Sequence, residues 1–456
     1  MTAAAPSGIV GDGALPRCSG MRGSGKVLAL VGPLVAASLP CAALGDICEI
    51  EGAQGAVTAK VVSFNQELVN LAPLQALRGI SPGARVKGWG RPLILKPALP
   101  LEGSVLDALA APLAPCGAPA PPGVARAAIR TDRDPPSPLD RPAVDRIFRT
   151  GVRAIDGLCS IGRGQRVGLF AGPGAGKSTL LGMIARHASA DVSVIGLIGE
   201  RGREVGEFLR QPPGWNGLER AVVVVATSDE TPARRALAPF TATAIAEHFR
   251  DQGRHVLLLI DSLTRTARAL REIGLAAGEV PVRQGYPPSV YSELPRLLER
   301  AGNSRNGSIT AIYTILTHAE QCEDALSEEL KSLLDGHIVL DERLAERGIF
   351  PAIDAAASVS RLHARLHPPE YVELSGALRK ACACLKRDKE LLLFGGQPAP
   401  ELAAALAIEG GLERFLSQRP EEPACRADAH EAVAGLAAAY REALTQRMPA
   451  HRQPPA

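Results

Sequence analysis

The chain has 456 residues, 46% of them hydrophobic and 22% charged, with a formal net charge of +3. That length predicts roughly two to four domains and a large buried core, and so small a charge gives no sign of a general affinity for nucleic acid while leaving an acidic ligand open. Nine cysteines, an odd number with no CxxC pair, exclude a disulfide framework or a zinc ribbon and fit a reducing cytoplasm.

Residues 1–24 are rich in Ala, Gly and Ser and are expected to form a disordered tail. From 25 to 96, short apolar runs broken by turns predict a small β-barrel: VLALV, DICEIEG, AVTAKVVSF, LVNLAPL and PGARVKGWGRPLIL. The stretch 27–45 follows Arg17, Arg22 and Lys26 and has the outline of a signal peptide or a poor membrane span, but Pro33 and Pro40 argue against a spanning helix, and β-branched residues with Gly32 argue for short strands. Prolines crowd residues 97–149, which read as connecting loops around a short helical piece.

Between 150 and 365 the apolar runs QRVGLF, VSVIGLI, AVVVVA, HVLLLI and SITAIYTIL alternate with helical stretches such as TATAIAEHF and SELPRLLERAG. Continuous apolar strands of this kind predict a parallel sheet covered on both faces. Residues 366–445 are rich in Ala and Leu, with Val433, Leu436, Tyr440 and Leu444 on one helical face, and predict a small helical domain. Within it, RKACACLKRDK reads as a solvated helix face, and residues 446–456 as a tail.

The segment QRVGLFAGPGAGKSTLL places a glycine-rich turn between a strand and a helix, which is the context of a P-loop. Gly172, Pro173, Gly174, Ala175, Gly176, Lys177, Ser178 and Thr179 are the predicted nucleotide contacts. Backbone N–H groups from Gly174 onward would cradle phosphate oxygens, Lys177 would reach them, and Ser178 would hold Mg²⁺. Ala171 replaces the first glycine of the strict pattern, a small residue at a flank of the turn.

Ligands of an open parallel sheet gather beyond the carboxyl ends of its strands. Asp261, after VLLLI, has the position of a Walker B acid for Mg²⁺. Glu200, at the exit of VSVIGLI, is the candidate to polarise the attacking water, with Arg201 beside it in the catalytic set and Glu204 as a further contact to Mg²⁺ or its waters.

The stretches GERGREVGEFL, LLLIDSLTRTARALREIGLAAGEVP, GYPPSVYSELPRLLERAG, LLDGHIVLDERLAERG and FPAIDAAASVSR together resemble the ATPases of type III secretion systems and flagellar export, relatives of the catalytic subunit of rotary ATP synthases. The resemblance runs from about residue 25 to 365 and includes FNQELVNLAPLQALRGISPGARV and PLDRPAVDRIFRTGVRAIDGL. It implies fold class α/β: an N-terminal small β-barrel, a central P-loop (RecA-like) parallel-sheet ATPase domain and a C-terminal small α-helical domain. It also implies ATP and Mg²⁺ as cofactors, Phe350 against the adenine ring, Phe415 on the other side of the base, and Arg361 inserted into the neighbouring subunit's site. The implied partners are five further copies in a homohexamer, stalk and stator-like proteins, and chaperone–substrate complexes. Nucleic acid is not among them, and the implied location is cytoplasmic, at most peripheral to the inner membrane.

Some positions depart from the family pattern. Thr266 and Leu270 stand where relatives carry an aromatic residue and a glutamine, THAEQCEDALSEEL lacks an acidic Asp-Pro loop, and LLLFGGQPAPELAAALA is a weakened C-terminal pattern. Three other readings compete with an export motor: a rotary synthase catalytic subunit, a ring-shaped RNA translocase, and an ATP-gated docking platform with little turnover. Glu200 favours a catalytic subunit, and a barrel offering only Phe64 and Trp89 for stacking disfavours RNA.

Overall fold

In the computed structural model, which describes residues 23–65, 68–113, 125–210, 219–317, 325–394 and 397–447, the chain divides into two units after Leu93. The first is a closed antiparallel barrel built from β1 Ser24–Val31, β2 Leu34–Ser38, β3 Asp46–Gly52, β4 Gly55–Asn65, β5 Leu68–Pro73 and β6 Arg85–Pro92, ordered β1-β2-β5-β4-β3-β6. Alternation along the strands turns Val35, Ile50, Val61, Leu71 and Val86 into one interior cluster, and closure leaves no open edge. Strand β2 lies inside the stretch 27–45. Only Gly32 and Pro33 separate it from β1, with Gly32 at a φ of +57°, so two strands read as one apolar run.

The second unit is organised by a sheet whose strands run, in spatial order, Val359–Ser360, Gly336–Val339, Arg166–Ala171, Ser308–Leu316, His255–Asp261, Val192–Ile198, Ala221–Ala226 and Val105–Asp107. All adjacent pairs but the first are parallel. Every residue of the strands Val192–Ile198, Ala221–Ala226 and His255–Asp261 is buried, as expected where helices cover both faces. Each Val, Leu or Ile so buried contributes about 1.5–3 kcal/mol relative to exposure.

Three of these strands correct the sequence reading. Val105–Asp107 joins the sheet edge from within the segment expected to be connecting loops, while the helical piece there is the 3-10 turn Pro138–Asp140. Gly336–Val339 and Val359–Ser360 complete the other edge. All three are too short for a periodicity to register, and neighbouring strands supply the pairing that makes them extended.

Helices Pro369–Asp388, Pro400–Leu416 and Arg426–Thr445 pack on one another and on α1, Arg153–Leu158. Val433 and Tyr440 are buried and Leu436 and Leu444 half-buried against the same core, so the predicted helical face is the packing face. Tyr371 stacks on His367 and His430 with centroids 4.6 and 4.1 Å apart, and its hydroxyl donates to Gly157 O at 2.8 Å. The run RKACACLKRDK differs in part from its expectation as a solvated face. Lys380 and Arg387 are exposed, but Arg379 donates to Ala355 O and Lys386 pairs with Asp341 and Asp354, contacts that tie the helix to the sheet domain, and Lys389 pairs with Glu409 of helix Pro400–Leu416. The expected tails, apart from their innermost residues, and residues 318–324 of the THAEQCEDALSEEL stretch lie outside the described residues.

Candidate active site

The strand Arg166–Ala171 ends against the interior, and the chain then turns through Gly172–Gly176 into α2, Lys177–His187. Gly174 and Gly176 have φ of +82° and +84°. A Cβ at Gly174 would meet nothing within 4 Å, so glycine is required there by the left-handed backbone and not by space. Ala171 is the buried last residue of the strand, its carbonyl accepting from Thr317 N at 3.0 Å. A strand residue needs no glycine, which is why the substitution is tolerated. No side chain caps α2, leaving the first N–H groups of Lys177, Ser178 and Thr179 without intrahelical partners at a positive dipole end. Pro173, Gly174, Ser178 and Thr179 are exposed, Gly172 and Gly176 half-buried, and Ala175 buried beneath the loop.

Two neighbouring strands deliver acids to this loop. Leu197 pairs with Asp261 across the sheet, so Glu200, just past the first strand, and Asp261, at the end of the second, emerge side by side. Lys177 Nζ donates to Asp261 Oδ1 at 2.6 Å and to Glu200 Oε1 at 3.2 Å. Thr314, on the strand between those of the P-loop and Asp261, donates its hydroxyl to Asp261 Oδ1 at 2.6 Å. Burial, then a hydrogen bond to the Glu204 carboxylate, pushes the Glu200 carboxyl up to about 7; the nearby Asp261 adds to the rise, while Lys177 and Arg265 oppose it. Only 6% of Glu200 is exposed.

Arg265 is a site residue that the sequence reading missed. Ser262 accepts from Arg265 N at 3.3 Å and caps the helix Leu263–Ala276, so the chain turns into a helix immediately after Asp261 with Arg265 in its first turn. From there Nη2 donates to Glu200 Oε2 at 3.0 Å and Nη1 donates to Gly199 O. Gly199 has a φ of +68°, and a Cβ on it would lie 2.7 Å from Arg265 Cδ; backbone and close approach both demand glycine. Thr314 was missed too, although a hydroxyl amid SITAIYTIL was a visible signal. Thr266, at one of the departures from the family pattern, bonds its own helix, donating to Ser262 O at 3.2 Å.

Arg201 requires a correction. Its side chain is 77% exposed and lies 3.9 Å from Glu204, so the guanidinium that touches Glu200 belongs to Arg265. Arg201 is the N-cap residue of α3, Gly202–Leu209, and that position turns its side chain outward. Glu204 is half-buried and bonded to Glu200, which lowers its own pKa.

Phe350 is 43% exposed, and a Cβ at Gly176 would stand 3.6 Å from its ring, which puts an apolar face beside the P-loop. A Cβ at Gly172 would collide with Glu342 Oε1, so a carboxylate the sequence reading did not single out lies over the start of the loop. Phe415 is corrected to a core residue. It is 4% exposed, its ring tip facing Gly157 and the Val433 region, because helix Pro400–Leu416 buries this side against α1. Arg361 is exposed and donates to Lys331 O at 3.1 Å. Ser360 pairs with Gly336, and His337 with Gly168, which sets Arg361 level with Arg166 at the amino end of the sheet, about 16 Å along the strands from Ala171. It is remote from its own P-loop.

Among the described residues no group of three or more His, Cys, Asp or Glu could enclose a metal. The oxygen donors near the loop include Ser178, Asp261, Glu200 and Glu342, with Glu204 bonded to Glu200. That set suits Mg²⁺, which keeps waters and takes other ligands from phosphate.

Residues 151–360 match the model of the ATP synthase alpha/beta family, nucleotide-binding domain. The flagellum-specific ATP synthase of Bacillus subtilis is 41% identical over 418 residues, 90% of this chain and 94% of that protein. The type 3 secretion system ATPase of Pseudomonas syringae pv. tomato is 46% identical over 415 residues, 90% of this chain and 92% of its own length. The solved structure of the assembled ATPase EscN from the enteropathogenic E. coli type III secretion system superimposes with a TM-score of 0.83 at 40% identity, covering 91% of this chain and 100% of that one; its complex with the central stalk EscO gives 0.81. A P-loop over a lysine shared by two strand-end acids, in a chain matching these proteins along nearly its whole length, places it in the ATPase family of type III secretion and flagellar protein export.

Proposed function

We propose that this chain hydrolyses Mg²⁺-ATP at the carboxyl ends of its parallel strands, within a homohexameric ring that energises export of proteins through a type III secretion apparatus, releasing chaperones and unfolding substrates. The observation that carries this reading is Lys177 Nζ held between Asp261 and Glu200 directly under the P-loop. Lys177 and the free N–H groups of α2 would hold the phosphates, and Phe350 would carry the base. Ser178 and Asp261, with Glu204 farther out, would hold Mg²⁺, which when bound neutralises charge on the phosphate oxygens. Glu200 would orient the attacking water and take its proton.

Arg361 cannot serve its own site from the far end of the sheet, so it would serve the next subunit's, where a guanidinium on the transferred group is worth roughly 10³ to 10⁵ in rate. A stalk protein is the proposed axial partner, on the strength of the complex solved for EscN, and chaperone–substrate complexes are the proposed cargo carriers. No described helix is long and apolar enough to cross a membrane; the proposed location is the cytoplasm, at most peripheral to the inner membrane.

Steady-state phosphate release tests the assignment. Glu200→Gln is expected to abolish release while still holding ATP, and turnover at the parent rate in that variant would remove Glu200 from its role. Single-stranded RNA is expected to leave the rate unchanged; strong stimulation would favour the translocase reading.

A further inference from the structure

The half-exposed Phe350 ring has no strand or helix of its own to orient it, yet its main chain is held at one point. Gln418 N donates to the Phe350 carbonyl at 2.8 Å. Gln418 belongs to the segment that follows helix Pro400–Leu416, and only 6% of it is exposed. Its side-chain amide is fully engaged: Oε1 accepts from Arg153 N at 2.8 Å, and Nε2 donates to Gly151 O at 2.8 Å and to Glu422 O at 2.6 Å. Arg153 Nη2 closes the circuit by donating to Ser417 O at 2.8 Å.

The same segment reaches the far end of the P-loop helix. Pro420 O accepts from Arg186 Nη1 at 3.2 Å and lies 3.1 Å from His187 Nε2. Gly151 packs so closely on His187 that a Cβ would collide with it. One short stretch from the C-terminal helices therefore touches the platform residue, the start of α1 and the end of α2.

We propose that Gln418 is a positioning residue for the nucleoside end of the ligand: its buried amide sets the register of residues 417–422 so that their main chain fixes Phe350 beside Gly176. The inference rests on the reading of Phe350 as the base platform. It makes affinity for the base, and not for the phosphates, depend on how the C-terminal helices are seated. The phosphate cradle makes no contact with this segment: the residues of α2 that reach Pro420 are Arg186 and His187 in its last turn, whereas Lys177, Ser178 and Thr179 form its first.

The test uses the full chain with Gln418→Met, which keeps the volume and deletes the three amide hydrogen bonds. ATP and inorganic tripolyphosphate are each made to displace a fluorescent ATP analogue. Gln418→Met is expected to weaken ATP about tenfold while tripolyphosphate stays within about twofold. Phe350→Ala should show the same selective loss, and the double variant should be no weaker than Phe350→Ala alone, since both act through one ring. Should Gln418→Met not fold, Gln418→Glu, which keeps the acceptor for Arg153 N, carries the same comparison. Equal weakening of both ligands, or an unchanged preference beside a lost one in Phe350→Ala, overturns the inference alone. An unchanged preference in Phe350→Ala overturns the platform reading and this inference with it.

Discussion

Lys177 Nζ lies 2.6 Å from Asp261 Oδ1, so the group that would hold phosphate neutralises the group that would hold Mg²⁺. Both are largely buried, with side-chain exposures of 13% and 5%, and Glu200 shares the same ammonium at 3.2 Å. Nucleotide entry must exchange these ion pairs for contacts with phosphate oxygens. Lys177, Asp261, Glu200 and Arg265 thus form a compensated cluster in which each charge has a partner.

Lys177→Ala removes the shared cation and leaves two buried carboxyls facing each other. The variant is expected to release no phosphate and to lose about 3 kcal/mol of stability, the scale for an orphaned buried charge. The loss should be larger at pH 8 than at pH 6, because at pH 6 Glu200 keeps a proton. Thermal melting at the two pH values checks this; equal losses would contradict the shared-cation picture.

Glu200, raised from 4.5 to about 7 by burial and its bond to Glu204, must lose its proton to act on water. The kcat/KM profile of the free enzyme is therefore expected to climb with pH and level off above about 7. The stability term has the opposite sense. A carboxyl that holds its proton only when folded stabilises the fold fully below 4.5, and that contribution is gone once pH has risen through 7. Arg265 favours the charged form of Glu200, so Arg265→Met should shift the rising limb to higher pH. A limb that stays in place would remove Arg265 from the site.

Arg361 sits at the amino end of the sheet and its own P-loop at the carboxyl end. Arg361→Ala rings should be inactive. Mixing them with Glu200→Gln subunits should restore part of the activity, since some interfaces then join an intact site to an intact arginine. Absence of rescue at every mixing ratio would refute a site shared between subunits.

His363 and His367 are pushed down to about 4 and about 3, mainly by burial, with the charges of Arg379, Arg426 and His430 adding to it. Their ring nitrogens are bonded to Ser375 Oγ at 2.9 Å and Ser160 Oγ at 2.8 Å. Histidines kept neutral in the fold but free to protonate when unfolded make stability fall as pH drops below 6.5. The melting temperature should decline between pH 7 and 5, and His367→Gln should flatten that decline.

The strand cores show how local pattern and tertiary context divide the work. Val192–Ile198, Ala221–Ala226 and His255–Asp261 were legible because near-continuous apolar runs, VSVIGLI, AVVVVA and VLLLI, have few alternatives to a doubly covered strand. Val105–Asp107 and Gly336–Val339 were not, because three or four residues carry no period and their extension is imposed by the strand they pair with. The site divides in the same way. Lys177, Ser178, Glu200 and Asp261 follow strands and turns with their own signals, whereas Arg265 reaches Glu200 through the packing of two strand exits.

By itself the amino-acid sequence determined the order of the domains, the phosphate loop and the acids at the strand ends, since each is a local arrangement written in neighbouring residues. Only the tertiary structure decided that Phe415 belongs to the core, that Arg201 faces solvent while Arg265 holds Glu200, and that Gln418 grips the Phe350 backbone. Those outcomes depend on which surfaces pack together across long separations in the chain. Burial and partner choice are properties of the packed whole, and no local pattern encodes them.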